Sequence, residues 1–84
     1  MRHFTNPSFW DCYNKLPPYI QQLADKNFKL LKENPHHGSL HLKKVHRYWS
    51  VRISTQYRAL GIESAEGLVW FWIGTHADYD KWIN

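Results

Sequence analysis

The chain has 84 residues, 43% of them hydrophobic and 17% aromatic, with one cysteine and a net charge of +4. That length predicts a single domain, residues 1–84, whose thin core buries roughly 60–65% of the unfolded surface and draws heavily on large rings. Lone Cys12 excludes an internal disulfide, and the sequence shows neither a bilayer-length apolar run nor a signal-peptide pattern, so a cytoplasmic protein without a membrane partner is expected.

Met1 to Asn6 forms a candidate short edge strand. Asn6-Pro7 has the form of a helix start, with Asn as cap and Pro at the first helical position. Phe9, Cys12, Tyr13 and Leu16 follow at helical spacing, and Cys12 reads as a small packing residue on that stripe. Pro17-Pro18 stops this helix and opens a second one. Ile20, Leu23, Ala24, Phe28 and Leu31 form its apolar stripe, ringed by Gln21, Gln22, Asp25, Lys26, Lys29 and Lys32. The second helix ends before Asn34-Pro35, because the residue before proline is pushed out of the helical region.

His36-His37-Gly38-Ser39 reads as a loop, and Leu40 to Val45 as a strand. Trp49 to Ile53 alternates apolar and polar residues, the period of a half-buried strand, and Tyr57 to Leu60 resumes an extended run. Two turns compete for the link. A two-residue turn at Thr55-Gln56 pairs Ser54 with Tyr57 and sets Arg52 and Arg58 on opposite faces. A three-residue turn over Ser54-Thr55-Gln56 pairs Ile53 with Tyr57 and Arg52 with Arg58, keeping both arginines off the apolar side. The second is expected. Two cations facing each other are unfavourable unless an anion sits between them, and a phosphate or a carboxylate fits.

Glu63 to Gly67 reads as a polar turn. Leu68 to Ile73 is apolar on both faces, which predicts a strand covered on each side, closed by Gly74. Thr75-His76-Ala77-Asp78 has the cap-x-x-acid form and opens a short last helix through Tyr79, Trp82 and Ile83. The expected fold is α+β: an N-terminal helical hairpin packed on a small antiparallel sheet, with a short C-terminal helix.

Charge is unevenly placed. From Asn34 to Ile62 there are five cations, no acids and four of the six histidines; outside that window six cations face seven acids. Such a field suits an anionic partner.

In order along the chain, Leu16-Pro17, Asn34-Pro35, Gly38-Ser39-Leu40, Lys43-Lys44, Trp49-Ser50-Val51-Arg52, Tyr57-Arg58-Ala59 and Trp72-Ile73-Gly74-Thr75-His76 resemble the RelE/ParE toxin superfamily. The resemblance covers nearly the whole chain. It implies a small basic toxin of a bacterial toxin–antitoxin pair, held inactive by a cognate antitoxin. Many members are ribosome-dependent messenger-RNA endonucleases that inhibit translation, whereas the ParE branch poisons DNA gyrase without catalysis. Arg58 matches the strand arginine that RelE-type enzymes place against the scissile phosphate. Gly74-Thr75-His76 resembles the end of the YafQ branch, whose corresponding histidine takes part in proton transfer. Trp49 and Val51 stand where RelE carries paired lysines.

RNA cleavage needs a base, an acid and cations for the charge growing on phosphorus. His76 is the expected proton-transfer residue, near Asp78 and Asp80, and Arg58 and Arg52 the expected phosphate clamp through their forked donors. Either arginine has an alternative as a salt-bridge partner of Glu63 or a terminal aspartate. Lys43, Lys44 and Arg47 suit an RNA backbone. Tyr79 is placed to stack on a base or to join the core beside Trp82. His36, His37, His41 and His46 spread over a loop and a strand without a second ligand cluster, so neither a metal nor another cofactor is expected. The expected function is a metal-independent messenger-RNA endonuclease with ribosome, message and antitoxin as partners. A non-catalytic gyrase inhibitor and a basic adaptor domain are the alternatives.

Overall fold

Asn6 caps the first helix: its side chain accepts from the Phe9 amide, and Pro7 takes the first helical position. In this computed structural model, which describes residues 2–84, α1 covers Pro7–Tyr13 and α2 covers Pro18–Glu33. Pro18 opens α2 as its first residue, and Asn34 leaves the helical conformation ahead of Pro35. Ile20, Ala24 and Leu31 are the fully buried part of the expected stripe.

Five strands follow the order β1-β5-β4-β3-β2, where β1 is His3–Thr5, β2 Lys43–Val45, β3 Tyr48–Ser54, β4 Tyr57–Ser64 and β5 Gly67–Thr75. A last helix, α3, spans His76–Ile83, with Thr75 Oγ1 accepting from the Asp78 amide. The fold is α+β as expected, with one departure: β1 runs parallel to β5, while the other pairs are antiparallel. After β1 the chain crosses through α1 and α2 to the far edge at β2 and winds back strand by strand, so β5, the fourth strand of that meander, arrives beside β1 running in the same direction. Met1, the first residue of the expected edge strand, lies outside the described residues.

The expected strand from Leu40 is shorter than its pattern suggested. Gly38–Leu40 is a turn of 3-10 helix, His41 sits at φ 46 in the left-handed region, and extended pairing begins only at Lys43. The polar turn after β4 is also tighter, because pairing persists to Ser64 and Gly67.

The β3–β4 link combines both candidate turns. Ser54 pairs with Tyr57 across Thr55-Gln56, yet Arg52 pairs with Arg58, because the register shifts between Arg52 and Ser54. Ile53 is therefore an extra residue, a bulge, and the expected Ile53–Tyr57 pair does not form. The bulge lets a two-residue turn coexist with arginines on one face.

Val51, Ile53, Ala59, Trp70 and Ile73 join Phe9, Ile20, Ala24 and Leu31 in the main core beneath α1 and α2. The other face of the sheet holds a smaller one. Leu60, its cross-strand partner Ser50 and Tyr79 of α3 are buried outside the main cluster. Leu68, Trp70 and Ile73 of β5 are buried, while Phe71 and Trp72, against Trp82 of α3, are only half-buried, so the covering its apolar run predicted is complete on one face alone. Neither edge strand runs the full length of its neighbour: β1 stops at Trp70 of β5, and β2 stops at Ser50 of β3. Both sheet edges are thus open towards the β3–β4 turn.

His3 fastens β1 to the core. Its Nδ1 accepts a hydrogen bond from the Trp70 indole at 3.1 Å, and its ring stacks on Trp70 with centroids 6.1 Å apart. Burial, aided by the positive N-terminus and Lys32, holds the His3 pKa below its ordinary 6.5. Between the folded value and 6.5 the unfolded chain takes up a proton that the folded chain refuses. This contribution to stability is therefore complete above pH 6.5, falls as the pH drops below it, and levels off once folded His3 is protonated. Urea midpoints at pH 7.5 and 5.5 check this: the wild type is expected to lose more on acidification than His3→Gln.

Candidate functional site

Arg52 and Arg58 face each other across β3 and β4, on the side of the sheet where α3 lies. Arg58 is half-buried, and its Nη1 donates to the main-chain carbonyls of Ser54, Thr55 and Tyr57, the last at 2.9 Å. The guanidinium thereby closes the turn that positions it, and its other N–H groups have no acceptor among the described residues. Burial and the neighbouring Arg52 push its pKa down, and Tyr79 and Asp80 push it back up. Arg52 Nη2 donates to Thr55 Oγ1 at 3.2 Å. Neither arginine forms an ion pair among the described residues.

His76 reaches the same end of the sheet. Its amide donates to the Gln56 carbonyl at 2.7 Å, which pins the start of α3 to the β3–β4 turn. Its Nδ1 lies 3.3 Å from Asp80 Oδ2, one helical turn on, with both side chains partly open to solvent. This places a carboxylate beside the imidazole, in an electrostatic contact rather than a hydrogen bond. The i,i+4 spacing of His76 and Asp80 sets the two side chains on one face of the last helix.

The backbone-contact candidates divide. Lys43 stands opposite Ser50, so strand alternation sets it on the face that carries Arg52. Lys44, one residue on, belongs to the other face and pairs with Glu63 at 3.2 Å. That carboxylate also accepts from the Trp49 indole at 2.8 Å, and these two donors lower the Glu63 pKa. Glu63 is thereby engaged away from the arginines. Arg47 is exposed and lies over the Tyr48 ring, 5.3 Å from its centroid. Tyr79 corrects the stacking assignment: at 4% exposure it is a core ring, 5.4 Å from the His76 imidazole, and its face is not free for a base. The helical period carries it inward while His76 stays at the rim.

The loop histidines act locally. His37 Nδ1 accepts from the Ser39 amide, and His46 Nε2 lies 2.9 Å from the Ile83 carbonyl at the end of α3. Cys12 is half-buried against the core, as its place on the α1 stripe predicted.

Comparison with solved structures finds the same architecture. A chain of the RelB-RelE antitoxin-toxin complex from Methanococcus jannaschii superposes with a TM-score of 0.73 at 12% identity, covering 96% of this chain and 99% of that one. The YoeB/ParE toxin from Agrobacterium tumefaciens gives 0.68 at 19%, covering 90% and 99%. YafQ from E. coli strain BL21(DE3) gives 0.69 at 13%, covering 93% and 96%. No curated protein matches the sequence. The family model for the ParE-like toxin domain matches residues 18–81, from the start of α2 through most of α3. The chain belongs to the ParE-like toxin domain family and has the fold of these solved toxins.

Proposed function

We propose that the protein is a metal-independent, ribosome-dependent messenger-RNA endonuclease that inhibits translation, and that a cognate antitoxin holds it inactive. The observation that carries this is the pairing of Arg52 with Arg58 across two strands, beside a helix that begins at His76. The 2′-hydroxyl of the message attacks the adjacent phosphorus and the bond to the 5′-oxygen breaks, leaving a 2′,3′-cyclic phosphate and a 5′-hydroxyl. The guanidiniums of Arg58 and Arg52 take the charge that grows on the phosphoryl oxygens. His76, beside Asp80, takes the 2′-hydroxyl proton at a ring nitrogen, and water protonates the departing 5′-oxygen. Lys43, on the same face, neutralises a neighbouring phosphate.

One observation favours a second reading, inhibition of DNA gyrase by binding alone. The Arg58 donors that close the turn serve the fold without any substrate, and the matching family model is ParE-like. Purified protein with ribosomes and a defined message separates the two. Cuts inside codons are expected, with gyrase supercoiling unchanged; intact message together with blocked supercoiling would establish the second reading instead.

A further inference from the structure

The two open sheet edges beside the β3–β4 turn are flanked by clefts of opposite character. On the β5 side, Lys15, Tyr57, Trp72, Thr75 and Asp78 line an opening of about 340 Å³. Its charged members are one cation, Lys15, and one carboxylate, Asp78, so its lining carries no net positive charge. On the β3 side, α2 and the Gly38–Leu40 turn bound an open groove of about 540 Å³. No carboxylate lines it among the described residues. Its charged members are Lys26 and Arg52, with His37, Ser39, Asn27 and Ser54 between them.

The hydrogen bonds fix what this groove offers. Asn27 Nδ2 donates to the Ile53 carbonyl at 2.8 Å, answering the bulged backbone where β2 no longer covers it. Because the Ser39 amide donates to His37 Nδ1, the neutral ring carries its proton on Nε2, and that N–H remains a donor without a protein partner among the described residues. Lys26 is exposed and forms no ion pair among the described residues. Leu23, Leu30 and Ile53 supply an apolar floor suited to a ribose or base.

We propose that this groove is a second nucleotide subsite, which holds the phosphate and sugar next to the scissile phosphate of a single RNA strand. It rests on the nuclease reading above, because Arg52 belongs to both the groove and the clamp. Lys26 and His37 bind the flanking phosphate, and Arg52 bridges the two phosphates. Neither Lys26 nor His37 touches the reacting atoms. They set where the strand lies.

A short single-stranded RNA titrated into the isotope-labelled protein tests this by binding, independently of cleavage. The amides of Asn27, Ser39 and Ser54 are expected to shift on saturation. Lys26→Gln is expected to weaken binding about 5- to 10-fold and to reduce the salt slope by about 0.7, the loss of one single-strand phosphate contact. Lys29→Gln removes the same charge from the same helix outside the groove and is expected to change neither. Equal weakening by the two substitutions, or shifts at Lys43 and Arg47 alone, would overturn the groove. So would an acidic peptide displacing no RNA while shifting these same amides, since that would mark a protein-binding groove. Ribosome-bound message left intact by a protein whose oligonucleotide binding still depends on Lys26 would sink the nuclease reading and leave the groove standing.

Discussion

His76→Ala is expected to slow messenger cleavage on ribosomes about 10²–10⁴-fold while leaving the thermal unfolding curve nearly unchanged. The α3 cap belongs to Thr75, and the link to the β3–β4 turn uses the His76 backbone amide, so the imidazole can be removed without releasing either. What disappears is the ring beside Asp80. Asp80→Asn is expected to give a smaller loss, because it removes the neighbouring charge and leaves the ring in place. Cleavage of a defined message, measured with a urea midpoint for each variant, separates chemistry from folding. A gyrase inhibitor would retain full potency in a supercoiling assay with His76→Ala, and that outcome would remove the imidazole from the mechanism.

Trp70→Ala is expected to cost about 3–5 kcal/mol, against a total stability of about 5–15 kcal/mol for a domain of ordinary stability. The indole is 2% exposed and belongs to the main cluster beneath α1 and α2. Gly61 on β4 makes room for it: a Cβ there would lie 2.9 Å from Trp70 Cε3. Removal leaves a void and also strips His3 Nδ1 of its donor, which loosens β1. Trp70→Phe fills most of the space but not the hydrogen bond, so a loss of roughly 1–3 kcal/mol is expected, with β1 most affected. Urea unfolding measures the total, and hydrogen exchange at His3 to Thr5 reads the local part.

Local chemistry made much of this legible in the sequence. Asn6-Pro7, Pro17-Pro18 and Thr75 act within a few residues of themselves, so the starts of all three helices could be read directly, whereas α1 stops at Tyr13, short of the expected Leu16. The facing of Arg52 and Arg58 followed from keeping two cations off an apolar face, although the turn that achieves it was misjudged. A bulge changes which residues pair without altering the hydrophobic pattern around it, so Ile53 gave no sign of its extra status. His41 has an unremarkable type for its left-handed backbone, which hid the late start of β2. Long-range pairing was hardest: nothing in His3–Thr5 says that it will lie parallel to residues near the far end. Lys26 was similarly hidden, since a lysine facing solvent on α2 has the same spacing whether or not a groove opens beside it.

The parallel pairing of β1 also orders events during synthesis. The Trp70 partner of His3 lies 67 positions later, so this short strand stays unpaired until β5 has been made. Contacts of such separation slow the final step of folding. The sheet is therefore complete only once β5 has docked, which makes β1 the strand that closes it.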